Sequence, residues 1–204
     1  MIRRVTTINI HRFCFAILFL VSLLGSLDTF GENKIDPKQN EALLSAVEAG
    51  DLVLATTLLH KGANPNTTRK EGSTLTVLML AARNGHSGLV KALLDAGANP
   101  NTTAAVAVGV SQINEGITAL MLSAASGDAK TMQLLLDHGA NAKLKDSTGN
   151  TLLHYAVEEL GATEVVCLAL AQGVDRKAKN VQGQTALDKA KAAGNASAVA
   201  ELMR

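Results

Sequence analysis

The pentapeptide GANPN stands at residues 62–66 and again at 97–101, each time directly after a leucine-led tetrapeptide, LLHK in the first case and LLDA in the second. The 35-residue interval between the copies is too long for a coiled-coil period and suits a repeated supersecondary unit. Setting the register on the glycines that follow these leucines reveals pairs of glycines twelve residues apart: Gly50 and Gly62, Gly85 and Gly97, Gly127 and Gly139, Gly161 and Gly173. Gly194 opens a last segment that reaches Arg204 before a second glycine. The chain is a tandem array.

Between the glycines of each pair one apolar pattern recurs: Ala55, Leu58, Leu59; Val90, Leu93, Leu94; Met132, Leu135, Leu136; Val166, Ala169, Leu170; and, after Gly194, Val199, Leu202, Met203. The i, i+3, i+4 spacing puts each trio on one face of a short helix. A second apolar segment precedes the first glycine: TVLMLAARNG, TALMLSAASG, TLLHYAVEELG and TALDKAKAAG, with EALLSAVEAG at 41–50 as a worn copy. Thr76, Thr118, Thr151 and Thr185 stand where a hydroxyl can cap a helix N-terminus, and the glycines stand where a left-handed C-terminal turn is wanted. Each unit reads as helix, turn, helix and polar loop.

These residues resemble the ankyrin-repeat family, whose unit of about 33 residues carries a T-P-L-H-x-A signature. The resemblance is carried by GSTLTVLMLAARNGHSGLVKALLDAGANPN, GITALMLSAASGDAKTMQLLLDHGANAK and GNTLLHYAVEELGATEVVCLALAQGVDRK, with GQTALDKAKAAGNASAVAELMR as a half-worn end, and spans about residues 38–204. It implies an all-α solenoid of stacked helix-turn-helix units with loop or β-hairpin fingers. The units lie at about 38–68, 69–103, 113–145, 146–179 and 180–204, with an insert at about 103–112. There are departures from the family pattern. Val77, Ala119, Leu152 and Ala186 replace the signature proline, and only His154 supplies the signature histidine, with Met79, Met121 and Asp188 in its place elsewhere. AVEELG carries one residue too many, which predicts a looser end to the inner helix of the fourth unit.

Composition agrees with thin layers of helices. Hydrophobic residues make up 47% of the chain but aromatics only 2%, so Leu, Ala and Val must fill the core. Arg3, Arg4 and Arg12 precede the apolar run FCFAILFLVSLLG at 13–25, the layout of a secretory signal and short for a membrane span. Residues 1–31 therefore read as an export signal or, if uncleaved, an N-terminal anchor through 13–30, followed by a short linker at 32–37. Removing Arg3, Arg4, Arg12 and Asp28 with that segment leaves 16 basic and 17 acidic residues. This near-neutrality gives no bulk electrostatic reason to bind nucleic acid. Cys14 lies in the signal and Cys167 would stand alone, so no intrachain disulfide forms. A signal of this kind without disulfides suggests a bacterial periplasm.

If the chain follows the family, it binds a protein through its fingers and the inner helices lining the concave side. The fingers offer Arg69, Lys70 and Glu71; the insert Val106, Val108, Val110 and Ile113; then Lys145, Ser147 and Asn150; then Lys179, Val181 and Gln184. The inner-helix ends add Arg83, Asn84, Ser126, Glu158 and Glu159. AAVAVGVSQINE at 104–115 is apolar where a solvent-facing loop should be polar, and reads as a protrusion that anchors a partner, as a loop folded over the neighbouring finger, or as a flexible loop hinged at Gly109. Lys143, Lys145, Arg176, Lys177 and Lys179 form a basic cluster diluted by Asp146 and Asp175, read as a rim for an acidic partner or anionic lipid head groups, or as ordinary solvated charge. The histidines fall in different structural roles, and no Cys or His pair has ligand spacing, so neither a metal nor a cofactor is expected. The sequons at Asn66, Asn101 and Asn195 read as coincidental. No catalytic signature is present and the repeats consume nearly the whole chain, so the reading is not an enzyme. The expectation is a monomeric, exported protein-binding module that scaffolds a periplasmic client. The alternatives are an inhibitor of a secreted toxin or enzyme, and a membrane-anchored assembly factor.

Overall fold

The computed structural model describes residues 37–69, 74–108, 112–161 and 163–204, without the side chains of Ala107, Val108 and Gln112. By its contacts the chain divides into Met1–Lys34 and Ile35–Arg204, and every described residue lies in the second unit. The export or anchor segment, nearly all of the linker, Lys70, Glu71, Val110 and the side chain of Val108 lie outside the described residues.

Among the described residues ten helices form five pairs. They are α1 (Pro37–Ala49) with α2 (Leu52–His60), α3 (Val77–Arg83) with α4 (Ser87–Asp95), α5 (Ala119–Ala125) with α6 (Ala129–Asp137), α7 (Leu152–Ala156) with α8 (Thr163–Ala171), and α9 (Ala186–Ala192) with α10 (Ala196–Met203). The first members pack on one another in the order α1, α3, α5, α7, α9, and the second members in the order α2, α4, α6, α8, α10. No pair could bury its apolar face alone, so the stack shares a core running from Leu43 to Leu202.

The core explains the shortage of aromatics. Ala46, Ala81, Ser123, Ala156 and Ala190 hold the same place in successive inner helices, and none is more than 2% exposed. A small residue at this point lets the helices approach closely, and larger aliphatic side chains fill the layers on either side. Of the apolar trios, Ala55, Leu58, Val90, Leu93, Leu94, Met132, Leu135, Val166, Ala169 and Leu202 are buried. Met203, near the end of α10, is 69% exposed.

The caps fall where the hydroxyls predicted. Thr76, Thr118 and Thr185 accept from the backbone N–H groups of Met79, Met121 and Asp188 at 3.2–3.3 Å. At the fourth unit His154 performs a different task. Its Nδ1 accepts from the Thr151 N–H at 3.1 Å, so the ring proton sits on Nε2, which donates to the Gln184 carbonyl at 3.0 Å. The signature histidine thereby ties unit four to the finger of unit five. Asp188 instead accepts from both the Thr185 N–H and its hydroxyl, closing a reciprocal cap. The outer helices α2, α6 and α10 are capped by Asp51, Asp128 and Asn195, each directly after a repeat glycine.

The extra residue in AVEELG does loosen its helix. α7 has five residues where α3, α5 and α9 have seven, and turns carry the chain to Gly161. Asn195, only 3% exposed, donates from Nδ2 to the carbonyls of Val157 at 3.1 Å and Glu159 at 2.9 Å. The loosened end is thus held by the next unit.

The repeated pentapeptide also gains its reason. The Asn66 N–H donates to Asn64 Oδ1, while Asn66 Oδ1 accepts from the Asn99 N–H of the next unit at 2.8 Å. Asn101 repeats both bonds, accepting from the Asn141 N–H at 2.7 Å, and its Nδ2 donates to the Gly139 carbonyl at 3.0 Å. Successive loops are stitched by an asparagine ladder.

Candidate functional site

The insert is a hairpin, β1 (Ala104–Val108) paired antiparallel with β2 (Gln112–Ile117). Its strands carry residues up to Ile117, beyond the 103–112 insert expected from loop length. Ala104 faces Ile117 and Val106 faces Asn114, so Ala105 stands opposite a bulge at Glu115 and Gly116. Gly116 has φ of +83° and a Cβ there would stand 3.2 Å from the Asp146 Cα and the Lys145 carbonyl. Only glycine satisfies both demands.

Neighbouring fingers clamp the hairpin on both edges. On the β1 side the Thr74 N–H donates to the Ala105 carbonyl, and the Ala105 N–H to Thr74 Oγ1 at 2.8 Å. On the β2 side the Ser147 N–H donates to the Glu115 carbonyl at 2.7 Å, and the Glu115 N–H to Ser147 Oγ at 2.9 Å. The row continues through the Val181 N–H, which donates to the Thr148 carbonyl at 2.9 Å.

Asp146 is the buried centre of this arrangement, 6% exposed. Its Oδ1 accepts from the Thr148 N–H, the Thr148 hydroxyl and the Asn150 N–H. Its Oδ2 accepts from the Tyr155 hydroxyl, Asn114 Nδ2 and Asn150 Nδ2. Burial alone would push this carboxyl's pKa up, but the bonds from Asn114, Tyr155, Thr148 and the Asn150 main chain outweigh it and hold the pKa below the usual carboxylate value. Burial, and then the bond to Asp146, push the Tyr155 hydroxyl's pKa up. Asn180 repeats the Asp146 turn one unit later, accepting from the N–H groups of Gln182 and Gln184.

Beside this hub lies an open groove of about 630 Å³, bounded by Ile113 on the hairpin, Thr148 and Asn150 on one finger, Val181 and Gln182 on the next, and Tyr155 and Glu158 from the inner-helix side. Glu158 and Lys189 neutralise each other at 2.8 Å. Ile113 is 65% and Val181 73% exposed, so large apolar side chains stand free on both walls.

The structure brings some of the anticipated residues together and assigns others to scaffolding. Ile113, Val181, Glu158 and Asn150 line the groove. Lys145 and Lys179 are exposed on the fingers that bound it. Ser147, Asn150 and Gln184 spend polar atoms on Glu115, Asp146, Asn180 and His154. Val106 is partly buried against the core. Arg69 pairs with Glu48 at 2.9 Å and borders a separate groove with Pro37, Leu44 and Asn66. Arg83, Asn84, Ser126 and Glu159 are exposed at inner-helix ends. Asn114, Tyr155 and Asn195 were missed by sequence reasoning. The one available signal was that Asn114 and Asp146 lie about one repeat apart.

Among the described residues no group of three or more His, Cys, Asp or Glu side chains is placed to hold a metal ion. His86 packs its ring where a Cβ on Gly50 would stand, at 3.1 Å. Cys167 is exposed, and burial followed by the Glu201 charge raises the pKa of its thiol, which leaves little thiolate.

The family model described as ankyrin repeats (3 copies) matches residues 17–104 and 78–180. The chain belongs to the ankyrin-repeat family, and its fold is an all-α ankyrin solenoid with one β-hairpin among the described residues. The first match begins at residue 17, inside the stretch read as an export signal. No curated protein matches the chain. Ankyrin repeats are generally protein-interaction modules and typically non-catalytic, so the groove is a candidate for holding a protein.

Proposed function

We propose that this protein is an exported ankyrin module that holds a client protein of the bacterial periplasm in the groove between the β1–β2 hairpin and the last finger. The observation that carries the reading is the pair of free apolar walls, Ile113 and Val181, mounted on fingers fixed by the Asp146 network. A partner arriving there pays little to order the surface, because the fingers are bonded to one another before it binds. Export rests on the basic start and the apolar run at 13–25. A monomeric scaffold fits a stack in which each unit is satisfied by its neighbours.

The test is affinity capture from the host's envelope fraction with the full chain and with the double variant Ile113→Asp, Val181→Asp. The reading expects one partner retained by the parent chain, lost with the variant, and active while bound. A partner silenced at equal molar amounts would make the protein an inhibitor instead. Equal capture by both chains would move recognition away from the groove, and recovery of the protein in the cytoplasmic fraction would remove the periplasmic assignment.

A further inference from the structure

The geometry points to a more specific mode of binding: we infer that the outer edge of β2 at Ile113 takes up an extended, acidic and apolar segment of the partner as an added strand. This inference rests on the protein-binding reading above and names its partner's chemistry. Backbone polar groups alternate in direction along a strand. Both the N–H and the C=O of Glu115 point outward to Ser147, so Ile113, two residues earlier in the regularly paired part of β2, turns its own N–H and C=O to that same edge. Among the described residues nothing outside the hairpin bonds to the Ile113 main chain. The fingers use up the edge at Glu115 and leave the next place along it open.

Side chains and charge then select what fits there. A strand laid along Ile113 would set alternate side chains beside Ile113 and over the groove toward Val181, both largely exposed, which asks for apolar residues at every second position. Lys143, Lys145, Arg176, Lys177 and Lys179 are all exposed on the two adjoining loops, and among the described residues none is in an ion pair. Against these five basic side chains stand Asp175 on the same loops and Glu115 on the hairpin, Asp146 being buried and saturated. The Lys145 main chain lies against the hairpin at Gly116, three residues from Ile113. The groove floor, with Glu158 and Lys189 already paired, asks for no charge. An added strand with apolar residues in alternation and acidic residues between them meets all of these features.

The probe is a short fluorescein-labelled peptide alternating valine and glutamate, compared with a valine–lysine peptide and with a glutamate–valine peptide interrupted by proline. The full chain is expected to bind the valine–glutamate peptide at least tenfold more tightly than either control. The double variant Lys145→Glu, Lys179→Glu should reverse the preference toward the lysine peptide. Amide exchange at Ile113 should slow on binding, a readout on the parent chain that needs no variant to fold. Equal binding of all three peptides, or an Ile113 amide that exchanges as fast with peptide as without, overturns the inference. A client captured in the groove while the Ile113 amide stays unprotected would also overturn it and leave the protein-binding reading standing.

Discussion

The Tyr155 hydroxyl donates to Asp146 Oδ2 at 2.6 Å, and both side chains are more than nine-tenths buried. Two units are joined there, because the same oxygen accepts from Asn114 on the hairpin. Removing the donor alone, by Tyr155→Phe, should cost about 1 kcal/mol, the net worth of one buried hydrogen bond. Asp146→Ala takes the acceptor from the Thr148 N–H, the Thr148 hydroxyl, the Asn150 N–H and the Tyr155 hydroxyl, while Asn114 Nδ2 and Asn150 Nδ2 keep a second acceptor in Tyr155 and Thr148. It should cost roughly 3 kcal/mol or more, since each orphaned buried group carries its own penalty. Denaturant unfolding of the two variants checks the order; equal costs would refute the hub.

Acid should weaken the fold in two windows. The His154 pKa is lowered, first by burial, so the unfolded chain binds a proton that the folded chain refuses. Its contribution is complete above the ordinary histidine value of about 6.5 and is lost as pH falls toward the depressed folded value. His154→Met, the residue found at the equivalent Met79 and Met121 positions, should flatten the stability curve below about pH 6.5. Asp146, also with a depressed pKa, acts lower: its contribution holds above the ordinary aspartate value of about 3.9 and is lost below it. Thermal melts across pH on the parent and His154→Met chains separate the two.

Ala81, fully buried between successive inner helices, should tolerate no growth. Ala81→Leu is expected to destabilise the array by about 1–3 kcal/mol through overpacking, despite adding apolar surface. Leu52→Ala, at a position 42% exposed, should change stability by less than about 0.5 kcal/mol. A reversed order in chemical denaturation would place the core elsewhere.

Asn195→Ala removes the cap of α10 and both bonds to the loosened end of α7. A cap alone is worth about 1 kcal/mol, so a loss of about 2 kcal/mol or more is expected in the melt. Amide exchange should rise on both sides of the contact, in α10 and around residues 157–161. A loss confined to α10 would show that the bridge to unit four carries no weight.

The glycine spacing, the apolar trios and the threonine caps were legible because they are local: each is set by residues three to twelve positions apart. The hairpin was not, although AAVAV offered a β-branched run. Its register depends on a bulge at Gly116, which is dictated by the approach of the Asp146 main chain from another unit. The polar hub was hidden for the same reason. Asn114 meets Asp146 and Tyr155 across 32 and 41 residues, and Asn195 reaches Val157 across 38. Ser147, read as a partner-facing finger residue, bonds through its hydroxyl to the Glu115 main chain and Asn114, and Gln184 bonds through its main chain to Asn180 and His154. A finger's exposure can be guessed from its place in the repeat, but which of its polar atoms remain free depends on the neighbouring loop.

Photo-cross-linking in the native host tests the central claim most directly, with a photoreactive amino acid placed singly at Ile113, at Val181 and, as a control, at Val53, which is 75% exposed on α2 away from the groove. The account predicts the same protein cross-linked from Ile113 and Val181 and nothing from Val53. Cross-links from Val53 alone, or none from either groove wall, would contradict it.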